Sequence, residues 1–300
     1  MCFGTMLNRA EIPGRCSNWR LISERWRSKG RFHRQSDSRY LRRFECRFCR
    51  YSFSEATFHP CFGQKKRRVN EPLRRLYCSG VSQRRAGLLL GIHQKTVARK
   101  IRFLAAEARR HQRLFRKDLE SSGAVFREVY FDEMETFEHS KLKPLSVAIA
   151  VSPERKILGA YVASMPAKGL LAKKSVDKYG KRPDRRYWAM SGLLRSLKGI
   201  VANDALFKSD QNPHYPSCLH RHFCNATHIT TKGLRGCVVG QGELKATSFD
   251  PLFSFNHAAA MFRANLNRLF RKTWCTTKTT QGLKDHLALY IDFHNQSLTA

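Results

Sequence analysis

The sequence predicts a mixed α/β protein built in three successive parts, and three observations predict it. Between residues 70 and 110 apolar side chains recur every three to four positions, the spacing of one helix face. From Val125 the spacing changes to short apolar runs separated by turn residues, the spacing of strands. Ahead of both lies an aromatic and basic stretch, Arg31–Phe58, with one tight Cys46-Arg47-Phe48-Cys49 turn. The boundaries follow: a small hairpin region over 1–64, a helical region over 65–120, and an α/β domain over 121–300, entered through Ser121-Ser122-Gly123.

Charge narrows the partners. The 300 residues carry 56 Lys+Arg against 23 Asp+Glu, a formal net charge of +33. Such a chain repels itself unless a polyanion neutralises it, so nucleic acid is the leading partner. No apolar run approaches the roughly 18–20 residues of a spanning helix, so no membrane role is expected. The first residues lack a signal-peptide core, being broken by Asn8, Arg9 and Glu11. Ten cysteines are spread along the chain and only Cys46 and Cys49 are closely spaced, which favours a reducing cytoplasm over a disulfide framework.

In the first part, Tyr40, Phe44, Phe48, Tyr51 and Phe53 alternate with basic residues, and the CRFC turn falls between two short strands. One CxxC turn places two thiolates on one side of a tetrahedral zinc ion. A full site needs further ligands, for which Cys16, Cys61 or His33 are candidates. The bland reading is an aromatic hairpin with two thiols.

In the second part, Glu71–Cys78 reads as a short helix ending at Ser79-Gly80. Ser82 caps a second, Gln83–Leu90, and His93-Gln94-Lys95-Thr96 opens a third, with Val97, Ile101, Leu104 and Ala108 on one face. A short helix, a glycine-bearing turn and a longer basic helix form the helix-turn-helix pattern. His93, Gln94, Lys95 and Thr96 would face base edges, and Arg99 and Lys100 would hold phosphates. A plain helical bundle is the alternative. Residues 111–124 read as a linker.

In the third part, Val125–Phe131 is an apolar strand that ends in Asp132-Glu133-Met134-Glu135, a dense acid cluster in a chain poor in acids. A buried strand that delivers a carboxylate is one way to hold a divalent metal ion. Leu145–Val151 and Lys156–Ser164 read as two further strands joined by a turn at Pro153-Glu154-Arg155. Residues 165–187 read as a polar insertion and Tyr187–Lys198 as a helix. Gly199–Leu206 reads as a weak strand leading to Asp210, Ser217–Thr231 as mixed, and Asn256–Phe270 and Lys284–Phe293 as helices. Cys218, His220, His222 and Cys224 alternate as on a strand, which would put all four on one face.

Taken together, the helix-turn-helix, VYFDEMETF with its hairpins, FKSDQNPHYP and the run from FNHAAAMFR through RLFRKTW to KTTQGLKDHL resemble a bacterial insertion-sequence transposase of the DDE type. The resemblance covers roughly residues 31–295. It implies a ribonuclease H-like catalytic domain preceded by a zinc-ribbon-like segment and a helix-turn-helix. It also implies an enzyme that binds the ends of its own element and target DNA, cuts and joins strands with two Mg²⁺ (or Mn²⁺) ions, and acts as a homo-oligomer at the bacterial nucleoid. Asp132 matches the first metal-binding acid and Asp210 the second, with Glu133 and Glu135 secondary. The third position departs from the family, which usually carries glutamate with a basic residue two helical turns on. Here Asn256 precedes Arg263 by that spacing, so Asn256 takes the third place and Arg263 the DNA contact; a helix N-cap is the other reading of Asn256. An amide oxygen ligates a hard cation without charge. Arg268, Arg271 and Lys272 continue the basic helix toward DNA, the CRFC hairpin resembles the family's zinc-ribbon segment, and Cys46 and Cys49, with Cys16 as a candidate third ligand, would hold the zinc. The rivals are a decayed transposase that binds without cutting, and a non-catalytic helix-turn-helix regulator.

Overall fold

The computed structural model describes residues 26–35, 37–123, 125–232, 250–270 and 275–298. They form two compact units, which meet in sequence at Asn70 and Glu71. Among the described residues no helix is long and apolar enough to cross a membrane.

The first unit is a three-stranded antiparallel sheet of β1 (Trp26–Arg34), β2 (Arg39–Cys46) and β3 (Ser52–Ser54), in that order. Aromatic residues supply its small core: Phe53 meets Trp26 edge-on at 4.4 Å and stacks on Phe44 at 5.4 Å. The carboxylate of Glu45 is nearly inaccessible and is ringed by Lys29 at 2.5 Å, Arg27 at 2.7 Å and Arg50 at 3.5 Å. Hydrogen bonds from Lys29 and Arg27 hold its pKa down at about 2. A carboxylate with a depressed folded pKa stabilises the fold above its ordinary pKa, and the contribution fades as pH falls through the folded value. Glu45→Gln should therefore lower the thermal stability of this unit at pH 7. The gap to wild type should close as pH is lowered from about 4.5 to about 2. Parallel melts across that range check it.

The second unit opens with α1 (Asn70–Cys78), α2 (Gln83–Leu89) and α3 (Gln94–Ser122). It continues with β4 (Phe126–Phe137), β5 (Pro144–Val151), β6 (Ile157–Ser164), α4 (Leu171–Tyr179), α5 (Arg186–Leu197), β7 (Val201–Asp210), α6 (Tyr215–His220), β8 (Thr227–Thr231), α7 (Phe253–Asn265) and α8 (Thr280–Ser297). The sheet order is β6-β5-β4-β7-β8: β4, β5 and β6 are antiparallel neighbours, while β7 runs parallel to β4 and β8 parallel to β7. Val129 and Phe131 of β4 pack with Leu193, Leu194 and Leu197 of α5 and with Phe207 and Tyr215. Val147, Ile149 and Val151 are as fully buried as the alternating Ala148 and Ala150, so both faces of β5 are covered. That burial explains the unbroken apolar run of LSVAIAV. α5 and α7 pack on β5, and α8 packs on β6 and along α3.

Four expectations need correction. The linker expected over 111–124 is helical: α3 runs to Ser122 and ends at Gly123, whose φ of +67° suits glycine. Its second half is held by Arg109 to Asp285 at 2.5 Å, Gln112 to the Ala288 carbonyl at 2.8 Å and Arg116 to the Leu158 carbonyl at 2.5 Å. These anchors put residues 71–120 in one unit with the α/β region instead of in a separate domain. The insertion at 165–187 contains α4, whose Ser175 hydroxyl donates to the Leu142 carbonyl at 2.6 Å. The acids at 132–135 lie inside a strand, since β4 continues to Phe137 paired with β5 from Asp132↔Ile149 to Phe137↔Pro144. α7 stops at Asn265, where Leu266 turns extended and the Asn265 amide donates to the Met261 carbonyl at 3.1 Å and to the Tyr290 hydroxyl at 3.0 Å.

Candidate active site and the exposed start of a long helix

Tyr130 of β4 pairs in register with Lys208 of β7. Asp132 and Asp210 each lie two residues further along these parallel strands, so they share one face at one level. β7 ends at Asp210 while β4 runs on, among the described residues, against β5 alone, so the two acids sit where the sheet narrows, at the carboxyl end of a parallel strand. Burial first, and the Asp210 charge second, push the Asp132 carboxyl up to about 6. Two donors oppose the shift, both on Oδ1: the Glu133 amide at 2.6 Å and the Tyr215 hydroxyl at 2.9 Å. Asp210 Oδ1 accepts from the Asn212 amide at 3.0 Å.

The neighbouring acids, Glu133 and Glu135, differ in exposure. Glu133 accepts from the Ser146 hydroxyl at 2.8 Å and borders a small cleft with Arg186, Asn212, His214 and Tyr215. Burial raises its pKa as well. Glu135 is exposed and pairs with Lys168 at 2.8 Å.

The donor set at Asp132 and Asp210 fits a hard divalent cation: both groups are carboxylates, and Asp132 is half-buried beside the charge of Asp210. Asn256 is the fourth residue of α7, not its N-cap, and is exposed. Its amide donates to Asp250 Oδ2 at 2.8 Å. Among the described residues no group of three or more His, Cys, Asp and Glu side chains converges as a metal site. The CRFC turn is closed by the Arg50 amide, which donates to the Cys46 carbonyl at 3.0 Å, with Arg50 at φ +57°. Cys16 lies outside the described residues, and Cys46 and Cys49 alone do not make a four-ligand zinc site. The Cys218, His220, His222, Cys224 alternation is not a strand. Cys218 is buried on α6, Cys224 is exposed, and His222 Nε2 bonds the Ser191 hydroxyl at 2.7 Å.

On the helical side, Ser82 caps α2 by accepting from the Arg85 amide at 3.2 Å, and His93 caps α3 by accepting from the Lys95 amide at 3.1 Å. The turn between them is tight: a Cβ on Gly87 would come within 2.9 Å of the Ile92 carbonyl. His93, Gln94, Lys95 and Arg99 are exposed at the start of α3, and Thr96 is half-buried. Lys100 is buried, because its position falls on the face that carries Val97 and Ile101, so the phosphate role expected of it does not hold. Arg263 is half-buried on α7. Arg268 is used internally: its guanidinium donates to the Tyr77 hydroxyl at 2.7 Å and to His286 Nδ1 at 3.1 Å, tying α1 to α8 instead of facing DNA. Arg271 and Lys272 lie outside the described residues.

Tyr215 is the site residue that sequence reasoning missed. Its only signal was its place five residues after Asp210, between His214 and Pro216.

No protein-family model matches the chain, and no curated protein matches it. Among solved structures, a chain of the crystal structure of the Mos1 strand transfer complex aligns with 79% of this chain and 78% of its own length, at 11% sequence identity and a TM-score of 0.25. A likeness at that level leaves the function to be argued from the residues themselves.

Proposed function

We propose that the chain is a DNA transposase of the DDE type that binds the ends of its own mobile element and cuts and joins DNA strands with Mg²⁺ or Mn²⁺. The observation that carries this reading is the pairing of Asp132 and Asp210 on adjacent parallel strands, close enough for the charge of one to raise the pKa of the other. Three hairpin-joined strands, followed by two parallel strands beyond the first, agree with a ribonuclease H-like domain. Bound divalent ions would activate a water or a 3′-hydroxyl and stabilise the leaving oxygen. The protein's own part is to hold its ligands still before the cation arrives. Asp132 is fixed by the Glu133 amide and Tyr215, and Asp210 by the Asn212 amide. The formal charge of +33 supplies the pull toward DNA, and action on paired ends calls for more than one copy.

The exposed start of α3 is the proposed duplex-reading element. Arg99→Ala should weaken DNA binding about equally across sequences and reduce the slope of log K against log salt by about 1. Fluorescence anisotropy at several salt concentrations measures both.

One observation favours a second reading, a transposase that binds without cutting. Asn256 stands where the family carries an acid, and its amide is bonded to Asp250. Nicking of supercoiled DNA in Mn²⁺, with EDTA as control, separates the two. Metal-dependent nicking supports the enzyme, and binding with no nicking supports the decayed form.

A further inference from the structure

We infer that Tyr215 is a positioning residue for the cation site, and that the short segment from Asp210 to Tyr215 sets both carboxylates. The inference rests on the reading of Asp132 and Asp210 as metal ligands. Tyr215 is 1% exposed, and its ring packs on Phe131 at a centroid distance of 5.1 Å within the core of the second unit. A ring anchored in this way has little freedom, so its hydroxyl is delivered to one place. That place is Asp132 Oδ1, at 2.9 Å.

The topology explains why a side chain is needed there. β7 ends at Asp210, so among the described residues β4 has no strand neighbour on that side at Asp132. The chain after β7 takes over. The Asn212 amide bonds Asp210 Oδ1 at 3.0 Å, and three residues later Tyr215 bonds Asp132. One segment thereby orients an acid of its own and an acid of the neighbouring strand. The two donors that reach Asp132, the Tyr215 hydroxyl and the Glu133 amide, both use Oδ1, which leaves Oδ2 as the oxygen presented to a cation. Outer-shell partners of this kind tune metal affinity by fixing the orientation of the ligand.

The test is Mn²⁺ binding by the full chain, read from the loss of the free-ion electron paramagnetic resonance signal. It compares wild type, Tyr215→Phe and Asp132→Asn, with thermal melts confirming that each is folded. Tyr215→Phe keeps the packed ring and removes only the hydroxyl. The expected result is Mn²⁺ affinity weakened about 10- to 100-fold in Tyr215→Phe, and more in Asp132→Asn. Affinity equal to or tighter than wild type in folded Tyr215→Phe, with Asp132→Asn still weakened, overturns the positioning role and leaves the metal site in place. Wild type binding no better than Asp132→Asn overturns the metal site itself, and the positioning role with it.

Discussion

Asp132→Asn should make the protein more stable at pH 7, by about 2–3 kcal/mol, while abolishing metal-dependent cutting. The carboxyl of Asp132 is raised from an ordinary 3.8 to about 6 by burial and by Asp210. A raised carboxyl pKa means that the folded state binds the proton more tightly than the unfolded chain does. The ionised form at neutral pH therefore costs stability, and the cost is relieved as pH falls through about 6 toward 4. Asparagine carries no charge, yet its side-chain oxygen still accepts from Tyr215 and from the backbone amide. Melts of the two proteins in EDTA should differ most at pH 7 and converge near pH 4. Added Mn²⁺ should reverse the order by stabilising wild type alone, because a ligand that binds only the folded state stabilises by mass action. Equal melting points at pH 7 would contradict the account of a strained pair. The strain itself is the expected signature of a site built for a charge that arrives from outside.

His286→Ala should be among the most damaging single changes in the second unit, costing about 3–5 kcal/mol. The imidazole is wholly buried and stacks on Tyr77 at 3.8 Å. Its Nε2 donates to the Tyr77 carbonyl at 2.9 Å, and its Nδ1 accepts from Arg268 at 3.1 Å. The variant loses the stack and leaves a carbonyl and a guanidinium without their partner. Burial, and then the Arg268 charge, hold the histidine pKa well below 6.5. A base with a depressed folded pKa supports the fold above its ordinary value, so stability is lost as pH falls below about 6.5. This sign is opposite to that of Asp132, and the two variants separate the contributions. Arg268→Ala should share the stability loss and leave the salt dependence of DNA binding unchanged, the reverse of Arg99→Ala. Chemical denaturation and anisotropy on the same preparations decide it.

The contrast between Arg268 and Arg99 shows what was legible in the sequence. Periodicity located α1, α2, α5 and the start of α3, because each buries one face, and apolar runs located the three hairpin-joined strands, of which β5 is covered on both faces. Asp132 stood out because acids are scarce in this chain. The length of α3 did not stand out. Its second half, HQRLFRKDLESS, is held by polar anchors such as Gln112 to the Ala288 carbonyl and Arg116 to the Leu158 carbonyl, and such pairs do not show as a period. Arg268 looked like a surface cation because composition carries no information on which side of an element faces inward, whereas Lys100 falls on the inward face that Val97 and Ile101 already mark. Tyr215 was silent for a related reason: its role depends on β7 ending where β4 continues, a fact of register between strands some 80 residues apart.

Strand cleavage of a labelled DNA carrying the element's own end, in Mn²⁺, by wild type, Asp132→Ala and Asp210→Ala tests the central claim most directly. The account predicts cutting by wild type that EDTA abolishes and that each substitution reduces by at least about 100-fold, with DNA binding retained in both. Cutting that survives either substitution would contradict the assignment of Asp132 and Asp210 as the paired ligands.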